Sequence, residues 1–137
     1  MSKNRKFALI SVSNKSNIKC IANYLIENNF EIISTGGTYK KLKEEGIPVI
    51  SISDITNFPE IMNGRVKTLH PNVHAGLLAR KTDEEILNKL NIQRINILIV
   101  NFYPFEKTVE NENVSFDEAI ENIDIGGPAM VRAAAKN

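Results

Sequence analysis

The first fifty residues alternate between short apolar segments and segments with helical periodicity, and this alternation constrains the fold more than any other feature. Between residues 18 and 26, apolar side chains recur every three to four positions, as on one face of a helix. Strand–helix–strand units of this length join parallel strands through right-handed crossovers. The pattern predicts strands at 7–12, 30–34 and 47–52 and helices at 18–26 and 39–45, the second helix capped by Gly46.

The remainder of the chain combines one long irregular segment with further helix and strand patterns. Residues 53–70 show no clear period, and a loop of this length inside a compact domain is usually functional. Residues 95–100 give the clearest strand pattern in the chain. Helices are predicted at 73–79, 83–90, 116–123 and 129–136, with a Thr82/Glu85 capping box at the start of the second. The sequence therefore predicts an α/β fold in three layers, with a mainly parallel sheet flanked by helices.

Composition excludes several classes of protein. A formal net charge of +1 argues against binding to a nucleic acid polymer, which requires a clear excess of Lys and Arg. The single Cys20 excludes an intramolecular disulfide, and with only His70 and His74 beside it no Cys/His metal site of ordinary spacing can be assembled. The apolar stretch near the N-terminus is too short for a signal peptide or a membrane span. We therefore expect a cytoplasmic protein without a metal.

Hydroxyls, glycines and a lysine follow the first two predicted strands. Ligands of open parallel sheets bind beyond the carboxyl ends of the strands, and paired glycines before a helix let backbone N–H groups approach an anion. A plain turn and ordinary helix caps are the alternative, but two such loops at consecutive strand ends favour phosphate. Neither loop is a Walker motif or a dinucleotide fingerprint, so we expect a monophosphate. The residues are Ser11, Ser13, Lys15, Thr35, Gly36, Gly37 and Thr38.

Three further groups could carry chemistry, each with a structural alternative. Arg65 and Lys67, followed by Thr68, are cations on alternate residues and can point the same way. Alternatively, they belong to a solvated charged loop. Asn101 and Tyr103 follow the last strand and could contact a planar heterocycle, although aromatic residues there are more often core or lid. Asp124, Ile125, Gly126 and Gly127, with Lys136, could form a further site, or Asp124 could be only a helix cap. For His70 and His74 we favour structural hydrogen bonds over metal binding.

These motifs, in this order, closely resemble the amino-terminal domain of the bifunctional AICAR transformylase/IMP cyclohydrolase family over essentially the whole chain. The stretch from Gly64 to Gly76 carries most of the likeness. The resemblance implies a methylglyoxal-synthase-like, Rossmann-like α/β domain at residues 1–137, truncated at its C-terminal end, with the transformylase domain absent.

The activity that the resemblance implies is IMP cyclohydrolase: FAICAR, the formylated aminoimidazole carboxamide ribotide, loses water and closes to IMP. The phosphate group above matches the family's 5′-phosphate site. The base-binding positions correspond to Arg65, Thr68, Asn101, Ile125, Gly126 and Gly127, and the catalytic positions to Lys67, Tyr103, Asp124 and Lys136. Asp124 would orient or deprotonate the carboxamide, and the others would stabilise oxyanion charge and deliver protons. No cofactor is implied, because 10-formyltetrahydrofolate serves only the transformylase. The full-length protein would be a homodimer.

Two alternatives share this fold. Methylglyoxal synthase would need a carboxylate base beside the phosphate site, and the 65–70 segment argues against it. A regulatory domain, like the allosteric domain of carbamoyl-phosphate synthetase, would bind nucleotides without turnover. Turnover of FAICAR distinguishes the cyclohydrolase from both.

Overall fold

Strands β1 (Lys6–Ser11), β2 (Phe30–Ser34), β3 (Ile50–Ser51) and β4 (Ile95–Val100) form one parallel sheet in the computed structural model, which describes residues 5–137. Residues 1–4 of the predicted 1–137 domain lie outside this range. The strand order is β3-β2-β1-β4. The chain therefore builds outwards from β1 to β3 and then crosses to the other side of β1, so that the strand order reverses between β1 and β4. Such a reversal is where ligands of open parallel sheets bind.

Helices cover both faces of the sheet. They are α1 (Ile18–Glu27), α2 (Gly36–Glu44), α3 (Ile52–Thr56), α4 (Pro71–Leu78), α5 (Glu84–Leu90), α6 (Phe105–Val109), α7 (Phe116–Glu121) and α8 (Gly126–Lys136), with a 3₁₀ turn at Lys81–Asp83. Within residues 5–137, none of these helices has the length and apolar character needed to cross a bilayer.

Alternate residues of β1 serve two separate cores, as the period of a strand requires. Phe7 and Leu9 pack on one face of the sheet, where the other buried side chains come from α3, α4, α8 and the neighbouring strands. Ala8 and Ile10 pack on the opposite face, against residues of α1 and α2. All four are almost completely buried. This arrangement confirms the three-layer α/β prediction.

The predicted third strand is too long. The sequence pattern extends it over 47–52, but the ladder to β2 contains only Ile50 and Ser51. Pro48 has no N–H to donate to a ladder, and Ile52 already begins α3, with the N–H of Ser53 donating to Ser51 Oγ at 3.3 Å. An apolar run of this length does not distinguish a strand from a strand that turns directly into a helix.

The predicted capping box at Thr82 and Glu85 is also wrong. The turn that precedes α5 is closed instead by Arg80 and Asp83. The N–H of Arg80 donates to Asp83 Oδ2 at 2.8 Å, and its guanidinium donates to both carboxylate oxygens at 3.0 and 2.9 Å. These bonds from the guanidinium and the backbone lower the pKa of Asp83 from 3.8 to about 2.

We expect an NMR titration of Asp83 to give a pKa of about 2, and Arg80→Ala to raise this pKa part of the way towards 3.8, since the backbone N–H remains. Because the folded state has the lower pKa, the pair stabilises the fold above the ordinary pKa of 3.8, and this contribution is lost as the pH falls towards 2. An unchanged pKa in Arg80→Ala would contradict the assignment.

Candidate functional site

A cavity of about 420 Å³ opens at the point where the strand order reverses. Its walls are the segments that follow β1, β2 and β4, the loop before α4, and the start of α8. Most of the predicted site residues line it: Ser11, Ser13, Lys15, Thr35, Gly37, Thr38, Arg65, Lys67, Thr68, Asn101, Tyr103, Asp124, Ile125, Gly126 and Gly127. The fold thus brings together segments that lie more than a hundred residues apart.

Hydroxyl groups join the segment after β1 to the start of α2. Ser11 Oγ and Thr35 Oγ1 share a hydrogen bond of 3.0 Å. The hydroxyl of Thr38 accepts the N–H of Val12 at 3.1 Å and donates to the carbonyl of Val12 at 3.0 Å. Thr35 and Thr38 are both buried. These bonds fix the first turn of α2 at one end of the cavity, which we call the α2 end.

Lys15 brings a positive charge to the α2 end. Its Nζ donates to the carbonyl of Ser13 at 3.0 Å. A Cβ on Gly37 would lie 3.4 Å from Lys15 Cε and 3.6 Å from Nζ, so the missing side chain gives the ammonium room beside the helix. A helix N-terminus and an ammonium group that converge on one cavity make a site suited to an anion.

Asn101 has a structural task that the sequence did not indicate. Its Oδ1 accepts the N–H groups of Ser13 at 2.6 Å and Asn14 at 3.0 Å, and its Nδ2 donates to the carbonyl of Asn14 at 2.9 Å. The amide predicted to bind the base is therefore directed at the segment after β1. Its base-binding role stays a prediction, while its clamping of the α2 end is visible in the structure.

Asp124 defines the opposite end of the cavity, which we call the α8 end. Its Oδ1 accepts the N–H of Gly127 at 3.0 Å, and its Oδ2 accepts the N–H of Tyr103 at 3.3 Å. The carboxylate thus caps the start of α8 and also joins this helix to the segment after β4. A Cβ on Gly126 would lie 2.6 Å from Thr68 Oγ1, so the glycine is what lets the buried Thr68 approach α8.

Arg65 and Lys67 both line the cavity, but the two cations, which the sequence allows to point the same way, point to different places. Arg65 Nη2 lies 3.5 Å from Glu121 Oε1 of α7, an ion pair in which both side chains are exposed. Lys67 Nζ lies 3.6 Å from where a Cβ would stand on Gly36 and on Gly64. Lys67 therefore faces the start of α2, and Arg65 faces α7.

Lys136 does not reach the cavity. It is exposed in the last turn of α8, while Gly126, the first residue of the same helix, lines the site. Ten residues of helix separate them by about 15 Å. The catalytic role that the resemblance implies for Lys136 has no support from this position, and it stays a prediction.

The two histidines differ in their surroundings. His70 precedes α4, and its Nδ1 accepts the N–H of Asn72 at 3.1 Å, so it caps the helix as the structural interpretation predicts. His74 Nε2 is buried without a hydrogen-bond partner among the described residues. In the part of the chain that the structure describes, no three His, Cys, Asp or Glu side chains are grouped closely enough to hold a metal ion.

Two glutamates make contacts at the site that the sequence does not indicate. Glu121 pairs with Arg65, and Glu60 Oε1 accepts the N–H of Gly36 at 3.2 Å. An acidic residue in a long loop or on a short helix carries no signal of such contacts. They depend on where the loop runs across the sheet.

Comparison with known proteins agrees with this geometry. A family model described as "MGS-like domain" matches residues 17–129. The chain is 62% identical over 135 residues to the bifunctional purine biosynthesis protein PurH of Caldicellulosiruptor saccharolyticus, and 56% identical over 135 residues to that of Bacillus subtilis. Each alignment covers 96% of this chain but 26% of the relative, and the matching part is N-terminal. The crystal structure of ForH superposes with a TM-score of 0.80 at 35% identity, covering 97% of this chain and 69% of that one.

Proposed function

Because this chain belongs to the MGS-like domain family, we propose that it is an IMP cyclohydrolase domain, which closes FAICAR to IMP with loss of water. The chain spans about a quarter of the length of the PurH proteins that it matches. The identity of 56–62% to their N-terminal part supports this activity over methylglyoxal synthase and over a nucleotide-sensing domain.

The observation that carries the proposal is a cavity with two chemically different ends. The α2 end offers an ammonium group, a helix N-terminus and hydroxyls, which suit a phosphate. The α8 end offers the carboxylate of Asp124, the phenol of Tyr103 and the hydroxyl of Thr68, which suit a polar heterocycle. A volume of about 420 Å³ is in the range of small-molecule sites.

Because the proposed reaction joins two groups of the same molecule, the main task of the protein is to hold these groups in the reactive geometry. The carboxamide nitrogen of FAICAR attacks the formyl carbon of the same molecule and a C–N bond forms. The formyl C–O bond then breaks, and the oxygen leaves as water with a net gain of one proton lost by the carboxamide nitrogen and one lost by the formamide nitrogen. Asp124 orients or deprotonates the carboxamide, while Lys67 and Tyr103 stabilise the oxyanion and supply protons. We propose no cofactor for this step, and 10-formyltetrahydrofolate only for a transformylase elsewhere in a longer protein.

The direct test is to incubate the chain with FAICAR and to follow the absorbance of IMP, with dihydroxyacetone phosphate as a parallel substrate. IMP formation supports the cyclohydrolase. Formation of methylglyoxal would instead identify the synthase, and IMP binding without turnover of either substrate would identify a sensing domain.

We expect inorganic phosphate and IMP to stabilise the fold through the α2 end. At about ten times the dissociation constant, either ligand should add about 1.4 kcal/mol to the free energy of unfolding, and Lys15→Ala should remove most of this gain. Lys40→Ala is the matched control, because Lys40 is an exposed lysine of α2 that does not line the cavity. Thermal unfolding measures the effect, and no shift for the unmodified chain would exclude the phosphate site.

We also propose that the longer protein is a cytoplasmic homodimer whose ligands are FAICAR and IMP. Neither a nucleic acid polymer nor a membrane is proposed as a partner. The near-neutral net charge of +1 supports the first of these exclusions.

A further inference from the structure

Glu60 connects the loop before α4 to the start of α2. Its Oε1 accepts the N–H of Gly36, the first residue of α2, at 3.2 Å. Its Oε2 lies 4.0 Å from the position that a Cβ on Gly64 would take. The carboxylate therefore stands between a helix N-terminus, where negative charge is stabilised, and the tight turn of the loop.

Lys67 occupies the same junction. Its Nζ is 3.6 Å from the Cβ positions of both Gly36 and Gly64, the two glycines that Glu60 approaches. Both glycines have positive φ, at 45° and 80°, a conformation that glycine adopts without strain. Absence of side chains at these two positions leaves room for both the carboxylate and the ammonium at this junction.

A short turn connects Glu60 to Lys67. Ile61 N–H donates to the carbonyl of Val66 at 3.1 Å, and Val66 N–H donates back to Ile61 at 3.4 Å. These two bonds close a short antiparallel bridge immediately after Glu60 and immediately before Lys67. Fastening Glu60 to α2 therefore fastens the base of the turn, and with it the backbone that carries Lys67.

Glu60 does not line the cavity in which we propose that the phosphate binds. Gly36, which the sequence predicts to bind the phosphate, does not line the cavity, whereas Gly37 and Thr38 do. The carboxylate accepts the N–H of Gly36, while the next two residues of the first turn, Gly37 and Thr38, line the cavity where the anion would bind. This position suits a residue that holds the loop against α2.

We propose that Glu60 is a positioning residue for ring closure, which fastens the loop to α2 and thereby holds the Lys67 ammonium at the cavity. This inference rests on the proposed function, because it is through Lys67 that Glu60 would act. It assigns Glu60 no contact with the substrate.

The first test is a double-mutant cycle on the single-turnover rate with FAICAR. We expect Glu60→Ala to lower the rate about tenfold with IMP affinity nearly unchanged, as for a misplaced catalytic group. Glu60→Gln keeps an oxygen that accepts the Gly36 N–H and should restore most of the rate. In a Lys67→Ala background, Glu60→Ala should cause no further loss. Glu44→Ala, which removes an exposed glutamate at the other end of α2, is the matched control.

The second test does not depend on turnover. Amide hydrogen exchange at Gly36 and Val66 should be about tenfold faster in Glu60→Ala than in the unmodified chain, and close to normal in Glu60→Gln. Unchanged exchange at these two amides would overturn the inference, as would an equal rate loss with and without Lys67. If the unmodified chain forms no IMP, the proposed function fails, and Glu60 is then judged by the exchange of both amides alone.

Discussion

Asp124→Asn and Lys67→Ala are each expected to lower the single-turnover rate of IMP formation by about 10² to 10³, while IMP affinity changes by less than about threefold. Loss of one preorganised group that acts on charge present only in the transition state has this magnitude. Asp124 lines the α8 end of the cavity, away from the α2 end where the phosphate would provide much of the binding energy. Lys67 faces the start of α2, but Lys15 and the helix N-terminus would still hold the phosphate when Lys67 is removed. Rate and affinity should therefore separate.

The structure adds a stability cost to Asp124→Asn. Both carboxylate oxygens of Asp124 accept backbone N–H groups, from Gly127 and from Tyr103. An asparagine has one accepting oxygen, so its NH₂ group must face one of these donors. We expect a loss of about 1 kcal/mol in the free energy of unfolding, too little to prevent folding.

Asp117→Asn is the control for this pair of variants, because Asp117 is exposed in the first turn of α7 and does not line the cavity. It should keep normal rate, affinity and stability. Near-normal rates in Asp124→Asn and Lys67→Ala, or equal losses of binding and turnover, would show that both residues are structural and not catalytic.

Gly76→Ala is expected to destabilise the fold by about 3 kcal/mol. Gly76 is buried in α4, and a Cβ there would lie 2.5 Å from the backbone oxygen of Gln93 and 3.1 Å from Ile95 Cγ1. Alanine would favour the helix by about 1 kcal/mol over glycine. This gain is outweighed because the closest contact is with a carbonyl oxygen, which cannot rotate away as a side chain can, so α4 must move off β4.

Thermal unfolding measures the effect, with an expected fall in Tm of about 10 °C. Gly46→Ala is the control. At Gly46 no atom lies within 4 Å of the added Cβ, and only the positive φ of 74° opposes the substitution, at a cost of about 1 kcal/mol. Equal losses in the two variants would show that the α4–β4 contact is not tight.

Regular elements with strong local patterns were predictable from the sequence, and elements without a clear apolar pattern were not. The bounds of β2 and β4 agree with the prediction, because each is a short apolar run that ends at a polar residue. Helix α6 was not predicted, since it has five residues, none of them buried. Helix α2 begins at Gly36, three residues before its predicted start, a difference that arises because paired glycines are typical of turns and carry no helical signal.

The part of the site that follows the strands was predictable from the sequence. Residues after β1, β2 and β4 had to meet at one edge once the sheet was parallel, and they do. The contacts of Glu60, and the clamp formed by Asn101, required knowledge of the path of the loop before α4 and of the adjacency of β4 to β1. The periodicity of hydrophobic residues indicates neither the path of this loop nor which strands are neighbours.

The two ends of the cavity come mainly from different segments of the chain, so their sequences can change independently during evolution. Apart from Lys67, which faces the start of α2 from a later loop, the α2 end is made of residues 11–38, one continuous segment. The α8 end is made of residues that follow this segment. Descendants of such a domain could exchange the heterocycle that they accept by changing the later segments alone, and still recognise a phosphorylated ligand. Asn101 limits that freedom, because its amide ties the later half of the chain to the backbone of Ser13 and Asn14. We therefore expect substitutions at position 101 to be accompanied by changes in the segment after β1.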